Sequence, residues 1–300
     1  MRVCVIGGAG FIGHHIVNKF LSLNHEVLVI DDLSTGKLEN LPIECEFIKL
    51  DISEVNIDTL TKHLENIDLV YHTAAKARVQ PSIEDPLLYN KKNVDSTLKV
   101  LISSHKAKVK RVIYSASSSV YGNTDNFPTT EDTKTNPLSP YGLQKFIGEQ
   151  YCKLFSELYG LDTVSLRYFN VYGEGMLDEG AYCTVIGIFG KHYRENKKLP
   201  ITNNGEQRRD FTYVGDVVEA NYLVGMSESK LHGDAFNVGN GKNYSINQIA
   251  ELFETETEFI GNRIEPYQTL ADNSKIKNKF GWQPKGDVIT WVKKYKSKIK

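Results

Sequence analysis

A tyrosine and a lysine stand four positions apart near the middle of the chain, as Tyr141 and Lys145. On a helix, positions i and i+4 lie on one face, so the phenol and the ammonium would be neighbours. A free tyrosine has a pKa near ~10 and is a poor base at neutral pH. A nearby Lys⁺ would favour the phenolate. Most such pairs are surface neighbours, so this interpretation depends on what else the chain brings to the same place.

Serine hydroxyls follow a predicted strand over residues 111–115, at Ser115, Ser117, Ser118 and Ser119. A hydroxyl at the carboxyl end of a parallel strand points into the crevice where such sheets bind ligands. It could hydrogen-bond the substrate hydroxyl that loses its proton. The alternative interpretation is a polar turn that ends the strand.

A glycine-rich turn lies between a predicted strand and a predicted helix near the N-terminus. Gly7, Gly10 and Gly13 have the spacing G-x-x-G-x-x-G. Glycine lets the backbone turn tightly and lets a pyrophosphate approach the free N–H groups of the helix N-terminus. Asp31, after the second predicted strand, could accept hydrogen bonds from an adenosine ribose and would repel a 2′-phosphate. These residues predict an NAD site, against the alternative of a glycine turn beside a surface aspartate.

The elements that must position these groups alternate along the first half of the chain. The predicted strands span residues 2–7, 26–30, 45–50, 68–74, 111–115 and 163–169. The predicted helices span residues 11–23, 60–66, 86–106 and 139–159, the last ending before Gly160. Nearly continuous apolar strands separated by helices indicate a parallel sheet buried on both faces. The sequence therefore predicts an α/β fold with a doubly wound, Rossmann-type sheet.

The second half of the chain is less regular and is predicted to form a smaller α/β lid for the substrate. Its helices are predicted over residues 214–225, 245–253 and 287–296. We expect residues 1–166 to form the NAD-binding domain, with about 206–240 returning to it. Residues 167–205 and 241–300 would form the substrate-binding domain.

Composition limits the classes of function. The 300 residues include 36 basic and 37 acidic ones, so no global field draws the chain to nucleic acid or an anionic membrane. No uninterrupted apolar stretch approaches the ~20 residues that a spanning helix needs. The four cysteines form no C-x-x-C pair, which indicates a reduced, cytoplasmic protein. The pair His14-His15 has no carboxylate or cysteine at ligand spacing, so we predict no metal site.

The chain resembles the extended short-chain dehydrogenases/reductases of the NAD-dependent epimerase/dehydratase family along nearly its whole length. The motifs that carry this resemblance are GGAGFIG (7–13), Asp31, Asp51-Ile52, HTAAKARVQPS (72–82), Asn93, SSSVYG (117–122), YGLQK (141–145), RYFNVYG (167–173), RRDFTYV (208–214) and FGWQP (280–284). Together they imply a nucleotide-sugar enzyme that uses NAD.

The resemblance implies roles for individual residues. The implied catalytic residues are Ser117, Tyr141 and Lys145. With the glycine turn and Asp31, the expected NAD site consists of Gly7, Gly10, Phe11, Ile12, Gly13, Asp31, Ser34, Thr35, Gly36, Asp51, Ile52, Ala74, Ala75, Asn93, Ser115, Tyr141, Lys145 and Tyr168. The expected UDP-sugar site consists of Ser117, Ser118, Tyr141, Asn170, Arg209, Arg263 and Thr269. In this site Arg209 and Arg263 would hold the diphosphate, because the arginine fork pairs with phosphate oxygens.

The loop after Ser117 bears on the reaction. Dehydratases of the family carry Asp-Glu at this point, an acid and a base that remove C5–H and expel water, whereas this chain has Ser118-Ser119. The resemblance therefore implies 4-epimerisation of UDP-glucose and UDP-galactose, through a 4-keto sugar and with NAD held throughout. The alternatives are another NAD-dependent nucleotide-sugar dehydrogenase, reductase or dehydratase of this fold. A non-enzymatic dinucleotide sensor is a third class, and such sensors tend to lose the tyrosine or the lysine.

Two further expectations follow from the resemblance. Thr269 stands where a bulky tyrosine would crowd an N-acetyl group, so we expect UDP-GlcNAc and UDP-GalNAc to be tolerated. Family members commonly pair through the helix of the catalytic tyrosine and the helix before it. That helix carries an aromatic residue at every fourth position, at Tyr151, Phe155 and Tyr159. These residues would be either core residues or part of a homodimer face.

Overall fold

The computed structural model describes residues 1–178 and 183–299. These residues contain a central sheet of seven parallel strands: β1 (Arg2–Ile6), β2 (Glu26–Asp31), β3 (Glu46–Lys49), β4 (Leu69–His72), β5 (Arg111–Ser117), β6 (Asp162–Tyr168) and β7 (Asp234–Val238). Their order is β7-β6-β5-β4-β1-β2-β3, so the winding direction changes between β1 and β4. The predicted Rossmann-type sheet is confirmed, and ligands of such sheets bind beyond the carboxyl ends at this switch point.

Helices connect and cover these strands. They are α1 (Phe11–Ser22), α2 (Ile57–His63), α3 (Val79–Glu84), α4 (Pro86–Asn90), α5 (Ser96–Lys106), α6 (Pro140–Tyr159), α7 (Val185–Arg194), α8 (Val214–Gly225), α9 (Ile246–Glu251), α10 (Ser274–Phe280) and α11 (Val288–Lys298). A π-helical turn, Lys91–Asp95, joins α4 to α5, so the helix predicted over residues 86–106 is continuous. No helix of these described ranges is both long and apolar enough to cross a membrane.

Apolar side chains bury both faces of the sheet. On one face α1 packs against α8, and Phe20 and Val217 join one core cluster with the strands. On the other face α2, α5 and α6 contribute residues such as Leu60 and Val100 to a second cluster. A third apolar cluster joins α7, α9 and α11, outside the sheet. These layers leave the carboxyl ends of the strands facing the second half of the chain.

The helix that carries Tyr141 and Lys145 has well-defined ends. The Ser139 Oγ accepts a hydrogen bond from the Gly142 amide at 3.1 Å, and the helix begins at the next residue after Ser139, a proline. It ends at Gly160, whose φ of +69° is the left-handed conformation that glycine adopts most easily. α6 contacts β5 and the short 3₁₀ turn Ser118–Val120, so its first turn lies beside the predicted serine cluster.

Some elements differ from the expectations. The edge strand β7 was not predicted, and the helix expected over residues 60–66 begins earlier because Asn56 caps it, accepting from the Thr59 amide at 2.8 Å. Short strands pair outside the sheet: Val171–Tyr172 with Thr212–Tyr213, Arg208–Asp210 with Asn243–Ser245, and Leu199–Ile201 with Thr257–Phe259. Residues 179–182 and 300 of the predicted substrate domain lie outside the described residues, and the domain boundaries stay a prediction.

Candidate active site

A crevice of about 730 Å³ opens at the carboxyl ends of the strands. Its walls begin at the glycine turn after β1, continue past the ends of β2, β4 and β5, and reach residues 260–269 of the second half. The crevice therefore follows the switch point of the sheet, as the fold requires. One elongated site brings together the glycine turn, the serine cluster and Tyr141.

The glycine turn is built for close approach of backbone to backbone. Gly7 has a φ of +84°, and a Cβ on it would lie 2.5 Å from the Ala74 amide nitrogen. A Cβ on Gly13 would lie 2.1 Å from the Gly7 carbonyl oxygen, so the first turn of α1 can pack on β1 only without a side chain there. Phe11, which begins α1, lines the crevice together with Gly10. The free N–H groups of this helix end fit a pyrophosphate, as a dinucleotide site requires.

The carboxylate of Asp31 is fixed at the end of β2. Its Oδ2 accepts from the Ala9 amide at 3.0 Å and its Oδ1 from the Leu33 amide at 2.8 Å. Burial raises the pKa of Asp31, and the two backbone hydrogen bonds oppose that change. The remaining acceptor capacity of the carboxylate suits a ribose diol on the crevice side.

A second carboxylate stands at the same end of the crevice. Asp51 forms a short ion pair with Lys92, a residue that also lines the wall and reaches Asp32 at 3.5 Å. Burial acts to raise the pKa of Asp51, but hydrogen bonds from Lys92 and Ser53 outweigh it and lower the pKa. This end is therefore polar and held in one arrangement, which suits an adenosine group.

Tyr141 and Ser117 meet on the wall of the crevice. Tyr141 is the second residue of α6, and Ser117 is the last residue of β5. Burial raises the pKa of the Tyr141 phenol, whereas a hydrogen bond with Ser117 and the positive charge of Arg78 act to lower it. A buried phenol with such neighbours can exchange a proton with a hydroxyl of a bound ligand.

Lys145 lies one turn further along α6, behind the wall. Its Nζ donates to the Ser115 carbonyl oxygen at 2.7 Å and lies 4.9 Å from the ring centroid of Tyr114. Burial lowers the pKa of Lys145 to about 7. The ammonium is therefore anchored to the backbone of the serine cluster, and it does not line the crevice as a free cation.

Three more predicted NAD-site residues also stand behind the wall. Asn93 holds Lys76 by two bonds, accepting from its amide at 2.8 Å and donating to its carbonyl at 2.9 Å. Ser115 donates from its hydroxyl to the Tyr168 hydroxyl at 3.2 Å. Gly36 lies close to Ala9, where an added Cβ would be 2.8 Å from the Ala9 carbonyl carbon. The other predicted NAD-site residues on the wall are Ile12, Ser34, Thr35, Ile52, Ala74, Ala75 and Tyr168.

The predicted substrate residues line the other half of the crevice. Asn170 donates from Nδ2 to the Thr269 Oγ1 at 3.1 Å. Arg209 is buried, and its guanidinium pairs with Glu265 at 2.5 Å. Burial lowers the pKa of Arg209, and the Glu265 carboxylate opposes this change. Arg263 and Ser118 also line the wall, so every predicted substrate residue faces this cavity.

Several polar residues on the wall were not predicted from the sequence, among them Arg78, Lys92, Gln207 and Glu265. Glu265 organises the end near Arg209, because its Oε1 also accepts from Gln207 Nε2 at 3.2 Å. No local spacing signals this role, since Glu265 meets Arg209 only through folding. Within residues 1–178 and 183–299, no cluster of three or more His, Cys, Asp or Glu could hold a metal ion.

Comparisons with known proteins agree with this geometry. A model described as the NAD dependent epimerase/dehydratase family matches residues 3–239. The chain is 33% identical to a UDP-glucose 4-epimerase from Mycolicibacterium smegmatis, over 95% of this chain and 94% of that protein. It superimposes on the UDP-glucose 4-epimerase of Thermotoga maritima, solved with UDP-glucose, with a TM-score of 0.93, 34% identity and coverage of 99% and 98% of the two chains.

A second solved structure is similar over the same length. The UDP-N-acetylglucosamine 4-epimerase of Methanobrevibacter ruminantium, solved with UDP-N-acetylmuramic acid, has a TM-score of 0.91 and 36% identity. The match covers 99% of this chain and 97% of that one. The similarity thus includes both halves of the crevice, whereas the sugars named for these proteins differ.

Proposed function

Because this chain belongs to the NAD-dependent epimerase/dehydratase family, we propose that it inverts C4 of a UDP-linked hexose, with UDP-glucose and UDP-galactose as the main pair. NAD is the cofactor of this family, and the glycine turn with Asp31 fits it. One observation carries the proposal: Tyr141 and Ser117 share a crevice with that turn. A phenol, a hydroxyl and a dinucleotide in one crevice can oxidise a carbinol and reduce it again.

We assign each residue of the site a role according to its position. When bound, NAD supplies the hydride acceptor for C4 and returns the hydride. Tyr141 takes the proton from the 4-hydroxyl and later gives it back, and Ser117 orients that hydroxyl. Arg209 and Asn170 hold the diphosphate while the hexose turns over, so that its other face is presented.

Several features favour epimerisation over the other reactions of this fold. The acidic residues on the described part of the wall are Asp31, Asp32, Asp51 and Glu265. Three of them lie at the adenosine end and the fourth pairs with Arg209, so none stands beside Ser117 to assist a dehydration at C5 and C6. The presence of both Tyr141 and Lys145 argues against a non-enzymatic sensor.

The proposal is tested by incubating the purified protein with UDP-galactose, without added cofactor. We expect UDP-glucose to form until equilibrium, with NAD retained by the protein. A net dehydrogenase or reductase would instead consume added NAD(H) in proportion to product. A sensor would bind the dinucleotide and convert no sugar, and either result contradicts the proposal.

The sugar pocket is proposed to accept an acetamido group at C2. Thr269 is a small residue on the wall, and its Oγ1 accepts from Asn170 and from the Asp210 amide at 3.1 Å each. The Thr269→Tyr enzyme should lose turnover of UDP-GalNAc by at least about tenfold relative to UDP-Gal, because the larger ring fills the space of the acetyl group. Kinetics on both substrates check this, with Thr269→Val as the control that keeps the volume. Equal losses on both substrates would contradict it.

We also propose a homodimer built on α4 and α6. Phe155 packs in the core, but leucines of these two helices are exposed: Leu87, Leu143, Leu154 and Leu158. An exposed apolar face of this kind marks an association surface. Sedimentation should give a dimer for the native protein and a monomer for Leu158→Glu. Leu38→Glu, a change to an exposed leucine outside this face, is the matched control and should leave the dimer intact.

A cytoplasmic location is proposed from the cysteines. Within residues 1–178 and 183–299, no disulfide joins Cys4, Cys45, Cys152 or Cys183 to another cysteine. Disulfides are rare in the reducing cytosol, which agrees with reduced cysteines in a chain of this length.

A further inference from the structure

The loop after β4 holds an arginine in an unusual backbone conformation. Arg78 has a φ of +97°, a region that residues with a side chain rarely adopt. It is partly buried and lines the crevice. Backbone strain of this kind persists only where the surroundings impose it, and it concentrates at functional sites.

The neighbours of Arg78 in the chain are each clamped by a buried side chain. The Tyr89 hydroxyl donates to the Ala77 carbonyl at 2.9 Å, and the Ser82 hydroxyl donates to the Val79 carbonyl at 2.6 Å. Further back, Asn93 holds both backbone groups of residue 76. The loop is therefore fixed on both sides of Arg78, which keeps its strained conformation in place.

The same clamp connects Arg78 to the proposed catalytic tyrosine. Arg78 immediately precedes α3, Tyr141 lies in the first turn of α6, and these two helices pack together. The Ser82 Oγ accepts from the Tyr141 amide at 3.1 Å, so the residue that clamps the loop also ties it to α6. The guanidinium and the phenol thus face one crevice from two joined helix ends.

Arg78 differs in charge from the other described groups that interact with this pair. Among the described residues, the other titratable groups that interact with Tyr141 or Arg78 are Tyr114, Tyr89 and Cys183, and Ser117 adds a hydrogen bond. These two phenols and one thiol are uncharged or negative in any state. The Lys145 ammonium is anchored behind the wall, where its Nζ donates to the Ser115 carbonyl oxygen at 2.7 Å. An arginine stays protonated throughout.

We propose that Arg78 is a positioning residue whose fixed guanidinium stabilises the phenolate form of Tyr141. The inference rests on the proposed function, in which Tyr141 is the base. An opposite charge close to an ionisable group favours its charged form. The strained backbone conformation of Arg78 would then serve to direct a permanently charged guanidinium toward the proton-transfer site.

The test is the pH dependence of kcat for UDP-galactose in the holoenzyme. Arg78→Gly removes the charge but suits a φ of +97°, so its fold is not penalised by the strain. The acidic limb of the kcat–pH profile of Arg78→Gly should shift to higher pH by about one unit, because loss of the cation raises the pKa of the base. At pH values below both midpoints the rate should fall about tenfold, and it should recover above them. Arg78→Lys keeps a charge and should shift less.

Two outcomes would overturn the role of Arg78. One is an unchanged midpoint in Arg78→Gly, and the other is a uniform loss of kcat at every pH, as a merely structural residue would give. A spectrophotometric titration of tyrosinate, with Tyr141→Phe as the background, measures the same shift without any turnover. If the native protein epimerises no UDP-hexose, the proposed function fails, and this titration still decides whether Arg78 acts on Tyr141.

Discussion

Replacement of Tyr141 by phenylalanine is expected to lower kcat for UDP-galactose about 10²- to 10⁴-fold, the usual contribution of a positioned acid–base group. Phenylalanine keeps the ring in the first turn of α6 and removes only the hydroxyl that transfers the proton. NAD should stay bound, because the glycine turn and Asp31 are unchanged. The measurement is the initial rate of UDP-glucose formation together with the NAD content of the denatured protein.

Tyr151→Phe is the matched control for that change. Tyr151 lies on the same helix and packs against the core at a distance from the serine cluster, so its hydroxyl should be dispensable for turnover. Near-normal activity of Tyr141→Phe would remove the proposed base. Equal losses in both variants would indicate a general effect on α6.

Replacement of Arg209 by methionine is expected to raise KM for UDP-galactose about 10- to 150-fold, with a smaller change in kcat. A hydrogen bond to a charged group contributes about 1.5–3 kcal/mol, which corresponds to that range. Since Arg209 also pairs with Glu265, its loss leaves a partly buried carboxylate without its cation. The double variant Arg209→Met with Glu265→Gln separates the lost diphosphate contact from the unpaired carboxylate. If the lost contact is the cause, KM stays high in the single and in the double variant.

The neighbouring arginine offers a close control. Arg208 is on the same short strand but donates from Nε and a terminal nitrogen to Asn243, both at 2.9 Å, and does not line the crevice. Arg208→Met should therefore leave KM almost unchanged. A KM that rises equally in both variants would assign the effect to the strand and remove Arg209 as a diphosphate ligand.

Features that depend on neighbouring positions could be predicted from the sequence. The glycine turn lies within one strand–helix connection, and α6 could be placed from Ser139 and Gly160, its two caps. The edge strand β7 could not, because Asp234 and Asn237 interrupt its apolar pattern and it pairs with a strand far earlier in the chain. The cap of α2 at Asn56 was a local signal that the sequence analysis overlooked.

The other site features that were not predicted depend on contacts between residues far apart in the chain. The Arg209–Glu265 pair joins residues 56 positions apart, so no spacing rule predicts it. Arg78 faces the crevice because of its own φ and because side chains of α3 and α4 bind the backbone on either side of it. No residue spacing in the sequence predicts these contacts. Helical spacing brought Lys145 beside Tyr141, but only the fold shows that its ammonium binds the backbone behind the wall.

The central claim is that C4 is oxidised and reduced again within one crevice, on NAD that never leaves it. The most direct measurement uses UDP-galactose deuterated at C4, with the purified protein in ordinary water and without added cofactor. The account predicts UDP-glucose that still carries the deuterium at C4, because the hydride returns to the carbon that it left. Loss of the deuterium to water, or no conversion at all, would contradict it.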